Sequence, residues 1–432
     1  MTLQVSSASR FRRWHAIAVV ALAAAVPRLV VLALERNDIL EAFVEKSDRF
    51  ARTLVSSGTF GFVPGFPSAY TQPLYAFFLA GLYWPFGRSW VVVGLAQTLI
   101  AVGTALLVFE IGRRLRSTGF GVVAALVATL HPYLVWHDVH VNRELLDGFL
   151  LALLTLVALL AFERRTLVLT LGAGAVAGLA VLGNSRLALL PIAVAVYVAW
   201  PQRGRRAVLA AVAIVVAAGA VVAPWAIRNR AHIGCLTITT DARALWKANN
   251  PNTYGVLARG QWIDDVPELP GAPPWPEKAA SLRPPLRVDE CAQMRFYQHQ
   301  VRDFWRDRPG EKAKLAAQAT EMLWRPDLTV AADDPGRGGF AGTVRKTAEP
   351  AYMLLLYALA IAGCFFAPRR LLALVLVFEA YNTLAAMVFA GTIRYRVPWD
   401  FLLALLAVFA LERLLAWLRT RRYLPARASA AR

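Results

Sequence analysis

Charge is scarce in this sequence, and acid is scarcer than base. Only 17% of the 432 residues are charged, where a soluble domain carries about 25%. Asp and Glu number 28 against 47 Lys and Arg, and hydrophobic residues make up 57%. A disordered chain needs high charge and few apolar residues, so that class is excluded, and so is an ordinary soluble enzyme. Cysteine is nearly absent, with 3 in the chain and none in CxxC spacing. Neither a disulfide scaffold nor a zinc module fits. The net charge of +19 would suit nucleic acid, but the Arg clusters flank apolar runs. An anionic membrane surface and anionic lipid ligands explain them better.

What is present is a series of apolar blocks. They run over Trp14–Leu34, Trp90–Ile111, Phe120–Trp136, Leu145–Phe162, Leu167–Leu182, Leu187–Trp200, Val208–Ile227, Ala351–Ala367, Leu371–Ala390 and Phe401–Leu418. An all-α polytopic membrane protein with about 10 spans is expected. The first block follows Arg10, Arg12 and Arg13 as a signal peptide would, but it resumes past Arg28 and reads as a retained helix. Pro73–Gly87 is short and holds two prolines, and reads as re-entrant or interfacial.

Orientation follows from arginine. If Pro73–Gly87 does not cross, the clusters at Arg113, Arg164, Arg203 and Arg369 share one side with both termini. The positive-inside rule makes that side the cytoplasm. Four units result: an N-terminal transmembrane module (1–227) with a first outer loop (35–89), an outer region (228–349), C-terminal membrane helices (350–418) and a basic cytoplasmic tail (419–432). The excess of Arg over Lys favours a bacterial plasma (inner) membrane. The outer region pairs a β-like Leu236–Thr240 with a charged helical stretch from Asp289 to Trp324, a small mixed α/β region. Cys235 and Cys291 both lie there, and a disulfide and two free thiols stay equally open.

Unusual polar residues collect on the outer face. Carboxylates there suit deprotonation of a hydroxyl or binding of a divalent ion, and arginines beside them suit a phosphate. Asp48 precedes Arg52 by one turn, so it is either a catalytic base or half of a helix-surface ion pair. Glu45 is the second candidate base. Glu144 opens an apolar helix, where it either meets the helix dipole or works beside Asp138. The offsets of His137, Asp138, His140 and Glu144 suit either a polar interfacial loop or a Mg, Mn or Zn site, with Asp138 and His140 as the metal candidates. Arg186, Arg228, Arg394 and Arg396 stand on the face that the rule depletes and are assigned to a donor phosphate. Tyr70, Gln72, Trp246 and Asn250 are assigned to sugar or acceptor, with the aromatic belt as the alternative for Trp246. Arg28 inside the first span either snorkels or lines a wet cavity. Glu379, Tyr381 and Asn382 read as interhelical hydrogen-bonding groups.

Six motifs in order then resemble a known group. They are Ala51-Arg52-x-Leu54-x-x-Ser57-Gly58-x-Phe60, Pro73-Leu74-Tyr75 with Phe86-Gly87, and His131-Pro132 with Glu144. Next come Pro224-Trp225-x-x-Arg228-Asn229, Asn249-Asn250-Pro251 and Arg394-Tyr395-Arg396-x-Pro398. The chain resembles the GT-C glycosyltransferases of the protein O-mannosyltransferase and lipid A aminoarabinose transferase type, in glycosyltransferase family thirty-nine. The resemblance implies a polyprenyl-phosphate sugar donor, a lipid, glycan or protein acceptor on the outer face, and inversion at the sugar carbon. Where such enzymes place an Asp-Glu pair in the first loop, this chain has Phe43-Val44. A lipid-linked glycan ligase or polymerase, a transporter and a non-catalytic subunit of an envelope complex are the rival readings.

Overall fold

The protein is described here from a computed structural model that covers residues 7–41, 44–272, 274–326 and 339–422. Phe43 and the part of the basic tail beyond residue 422 lie outside the described residues. The N-terminal module contains α1 (Ser7–Glu35), α2 (Lys46–Ser57), α3 (Pro73–Phe86), α4 (Trp90–Leu115), α5 (Thr118–Thr129) and α6 (Pro132–His137). It continues with α7 (Glu144–Arg164), α8 (Leu167–Gly183), α9 (Leu190–Ala199) and α10 (Arg205–Ile233). Short helices α11 (Ala242–Lys247), α12 (Thr253–Ala258) and α13 (Pro276–Ala280) lead to α14 (Glu290–Asp307) and α15 (Pro309–Trp324). The chain then returns to the bundle as α16 (Gly339–Cys364), α17 (Arg369–Val388), α18 (Ile393–Arg396) and α19 (Asp400–Arg422).

Among the described residues seven helices are long and apolar enough to cross a membrane, and three shorter apolar helices accompany them. The expected Phe120–Trp136 span is broken. Pro132 cannot continue α5, so the chain restarts as α6, capped by His131 Nδ1 accepting from the Tyr133 N–H at 3.2 Å. At 14 residues α3 is about 21 Å long, short of the ~30 Å hydrocarbon core. No strand occurs among the described residues beyond an isolated bridge between Val63 and Phe66. Leu236–Thr240, expected to be β-like, runs as irregular chain. Its Thr240 N–H donates to the Ala69 carbonyl at 2.9 Å, and no ladder follows.

Small residues let the helices approach. A Cβ at Gly174 or Gly178 on α8 would run into the backbone of α10 at Ile214 and Ala218, which is the small-xxx-small route to close packing. The Arg clusters meet at one end of the bundle. There Arg370 pairs with Glu163 at 2.8 Å, Tyr197 Oη donates to the Arg370 carbonyl at 3.0 Å, and Arg116 reaches Glu412 at 3.3 Å. The other end bears the outer region, and Cys235 and Cys291 form a disulfide joining the end of α10 to the start of α14.

Arg28 is buried, at 1% exposure, and does not snorkel. Its Nη2 lies 2.6 Å from Asp138, and its Nη1 donates to the Ala24 carbonyl and Thr129 Oγ1. One guanidinium thus ties α1, α5 and the segment after α6. Breaking a buried pair from one side costs about 3–5 kcal/mol, because the partner charge is left uncompensated. We expect Arg28→Met to lower the melting temperature sharply in detergent, and Arg28→Met with Asp138→Leu to recover at least half of the loss. A double variant no better than the single one would show that the pair is not what holds these segments.

Candidate active site

The end of the bundle that carries α11–α15 opens into a cavity of about 1040 Å³ between the first loop, the ends of α8 and α17, and the roof formed by α12 and α15. Local breaks in the helices aim the side chains into it. Glu45 sits in extended conformation at the start of α2, so its side chain leaves the helix toward the cavity. Pro73 starts α3 and leaves Gln72 extended just outside; its amide accepts from Arg143 Nη1 at 2.9 Å and donates to Ser185 Oγ at 2.9 Å. Asn184 ends α8 in extended conformation, accepts from the Arg186 N–H and donates to Asp147 at 2.8 Å. The turn before Arg394 needs Gly391, since a Cβ there would overlap the Ala319 carbonyl of α15.

Arg394 is the centre of this arrangement. Its Nη2 pairs with Glu45 Oε1, and its Nε donates to Glu144 Oε1 at 2.5 Å. Behind it, Glu144 borders a narrow cleft lined by Arg28, Thr129, Asp138 and Pro398. Arg186 also lines the cavity, its guanidinium 3.7 Å from the centre of the Tyr395 ring. Lys46 pairs with Asp241 at 3.1 Å and lies over the Tyr70 ring. Burial first, then the Asp241 carboxylate, pushes the Tyr70 hydroxyl well above its ordinary pKa, so it stays protonated. Of the residues expected at the site, the cavity brings together Glu45, Tyr70, Gln72, Arg186 and Arg394.

The remaining candidates stand elsewhere. Asp48 is buried, held by Tyr83 Oη at 2.7 Å, Arg88 at 2.9 Å and Arg52 at 3.1 Å. Arg228 donates to the Ser68 and Phe60 carbonyls and packs on Trp225, beside a separate apolar groove. Arg396 pairs with Asp400 and donates to the Leu323 and Arg325 carbonyls. Trp246 is packed against Tyr297, and Asn250 donates to the Trp246 and Lys247 carbonyls. Four cavity or near-cavity residues escaped the sequence reading as site groups: Lys46, Arg143, Asp147 and Asp241. Asp147 carried a signal, an acid one turn inside an apolar span.

For a divalent cation the donors do not fit as arranged. Glu45 and Glu144 share Arg394 between them, and Asp138 is bound by Arg28. His140 stacks on Trp136 at 3.7 Å, with Nδ1 2.8 Å from the Trp136 carbonyl. Among the described residues no three His, Cys, Asp or Glu side chains are grouped to ligate a metal.

The sequence model of the dolichyl-phosphate-mannose-protein mannosyltransferase family matches residues 68–227. Comparison with curated protein sequences gives no match. The archaeal oligosaccharyltransferase AglB from Archaeoglobus fulgidus, solved with an inhibitory peptide and a dolichol-phosphate, aligns over 99% of this chain at 14% identity and TM-score 0.56. The apo Archaeoglobus fulgidus oligosaccharyltransferase aligns over 98% at 15% identity and TM-score 0.55. The chain has the GT-C fold. It spans about half the length of those two solved proteins, 53% of each. ArnT from Cupriavidus metallidurans aligns more loosely, at TM-score 0.35 and 14% identity over 89% of this chain and 76% of its own. Within this GT-C bundle the first-loop acids separate by role, Asp48 inward and Glu45 to the cavity. We expect Asp48→Asn to cost about 3 kcal/mol, since charge-assisted hydrogen bonds contribute about 1.5–3 kcal/mol each, and Glu45→Gln to cost clearly less. Thermal melting of the two variants checks this, and equal losses would remove the distinction.

Proposed function

We propose that the protein is an integral membrane glycosyltransferase that uses a polyprenyl-phosphate-linked sugar and an acceptor hydroxyl at the outer face. The observation that carries this reading is the Glu45 carboxylate, paired with Arg394 and facing the same cavity as Arg143, Arg186 and Lys46. Guanidinium groups bind phosphate oxygens in planar, bidentate fashion, so the arginines suit the donor phosphate and its departure. Glu45 takes the proton of the acceptor hydroxyl as its oxygen bonds the anomeric carbon. The bond from that carbon to the phosphate oxygen breaks on the opposite face, inverting the centre. Polyprenyl phosphate leaves, its charge met by the arginines. No step is routed through a metal.

The match to a mannosyltransferase family and the dolichol-phosphate in the AglB structure both support a lipid-phosphate donor. The basic helix ends lie at the far end of the bundle from the cavity. By the positive-inside rule, this supports an outward-facing site in a bacterial plasma membrane with both termini inside. A second reading, a ligase moving a whole lipid-linked glycan, is favoured by the size of the cavity, at the top of the ~300–1,000 Å³ typical of ligand pockets.

The test is transfer from radiolabelled polyprenyl-phosphate sugars, single and oligomeric, by the purified protein in lipid nanodiscs, with host membrane extract as acceptor. One donor should turn over. Glu45→Gln should lower kcat by about 10²–10⁴-fold, and Arg186→Gln should raise the donor KM. Full activity in Glu45→Gln would sink the assignment of the base. No transfer from any donor, with the protein folded and the extract competent for another transferase, would favour a non-catalytic envelope subunit.

A further inference from the structure

Exposed aromatic rings are informative where no membrane covers them. Among the described residues, the strongly exposed Trp and Tyr side chains are Trp14, Trp84, Trp200, Tyr254, Trp262 and Trp417. Trp14, Trp84, Trp200 and Trp417 lie in, or at the end of, apolar helices of the bundle, where an aromatic belt explains them. Tyr254, 49% exposed, and Trp262, 38% exposed, belong to the stretch between α11 and α14, and both line the same cavity as Glu45 and Arg394. Large rings left open to water at the mouth of a polar cavity call for a ligand.

Their neighbours say what kind. Gln261, Gln318, Asp264 and Glu321 share that wall. Gln318 donates its amide to the Tyr254 carbonyl at 3.2 Å, while its Oε1 is buried with no partner. An amide oxygen and two carboxylates accept from hydroxyl groups, and Lys314 and Arg325, the latter paired with Glu321 at 2.6 Å, balance the two carboxylates, so the wall carries no net charge and suits a neutral ligand. A sugar ring offers a C–H face to an aromatic ring and a rim of hydroxyls to such acceptors. We infer that the cavity wall built on Tyr254, Trp262 and Gln318 is an acceptor subsite that takes a neutral saccharide. This rests on the reading of the Arg186 and Arg394 side as the donor site, and it selects a glycan over a lipid phosphate or a polypeptide as the acceptor.

The experiment uses the full chain in nanodiscs and saturation-transfer NMR. The probes are mannobiose, galactobiose, cellobiose and arabinobiose, with a neutral Ser/Thr-rich decapeptide beside them. At least one disaccharide should bind saturably below about 50 mM. Trp262→Ala and Tyr254→Ala should each weaken it by about tenfold or more, and Trp262→Phe, which keeps a ring, should recover most of that loss. Should an alanine variant melt early, Gln318→Leu is read instead and should also weaken binding. Absence of saturable disaccharide binding, binding of the decapeptide alone, or binding indifferent to these variants would overturn the subsite. Donor turnover by the unsubstituted protein is measured separately. Turnover without disaccharide binding removes only the acceptor assignment, whereas disaccharide binding without turnover from any donor removes the transferase reading.

Discussion

The Arg394 guanidinium, lodged between Glu45 and Glu144, joins three parts of the chain that are remote in sequence: the first outer loop, the start of α7 and the turn before α19. Without it, two carboxylates would face each other at the floor of the cavity, an arrangement that low dielectric makes costly. The tie also needs the roof to be in place. Gly391 lets the turn lie against α15, and Lys312 of α15 donates at 2.6 Å both to the Met387 carbonyl and to Asn249 Oδ1. Arg396 adds its bonds to the carbonyls of Leu323 and Arg325. Floor and roof are therefore tied to neighbouring residues of one short segment.

The bundle was legible in the sequence because its signal is local. A run of apolar residues long enough to span carries its own evidence, whereas the shorter blocks read as spans at Phe120–Trp136, Leu167–Leu182 and Leu187–Trp200 fold as the shorter apolar helices Thr118–Thr129, Leu167–Gly183 and Ser185–Ala199. Pairing is not local. Asp48 and Glu45 are three residues apart, and nothing near either one separates a buried anchor from a cavity acid. The partners that decide it, Tyr83 and Arg88 for Asp48 and Arg394 for Glu45, lie 35, 40 and hundreds of positions away. Spacing found only Arg52, the one partner a turn away. The β-like reading of Leu236–Thr240 failed for a related reason. Threonine and isoleucine favour a strand, but a strand needs a partner edge, and here the first loop supplies one backbone hydrogen bond, from Thr240 to Ala69.

Arginine expected on the outer face was the clearest pointer to a site in the sequence, and its outcome is divided in a physically sensible way. Arg186 and Arg394 keep an edge toward the cavity. Arg228 spends its donors on the Ser68 and Phe60 carbonyls of the first loop, and Arg396 spends its on Asp400 and on the Leu323 and Arg325 carbonyls at the end of α15. Both uses follow from one property, a fixed fork of donors that needs several acceptors at once. A phosphate offers those acceptors, and so does the frayed end of a helix near a membrane boundary. Depletion by the positive-inside rule therefore says only that an outer arginine has a partner. Which partner it has is set by what stands beside it: Arg186 and Arg394 adjoin the cavity, the Ser68 and Phe60 carbonyls surround Arg228, and Asp400 with the end of α15 surrounds Arg396.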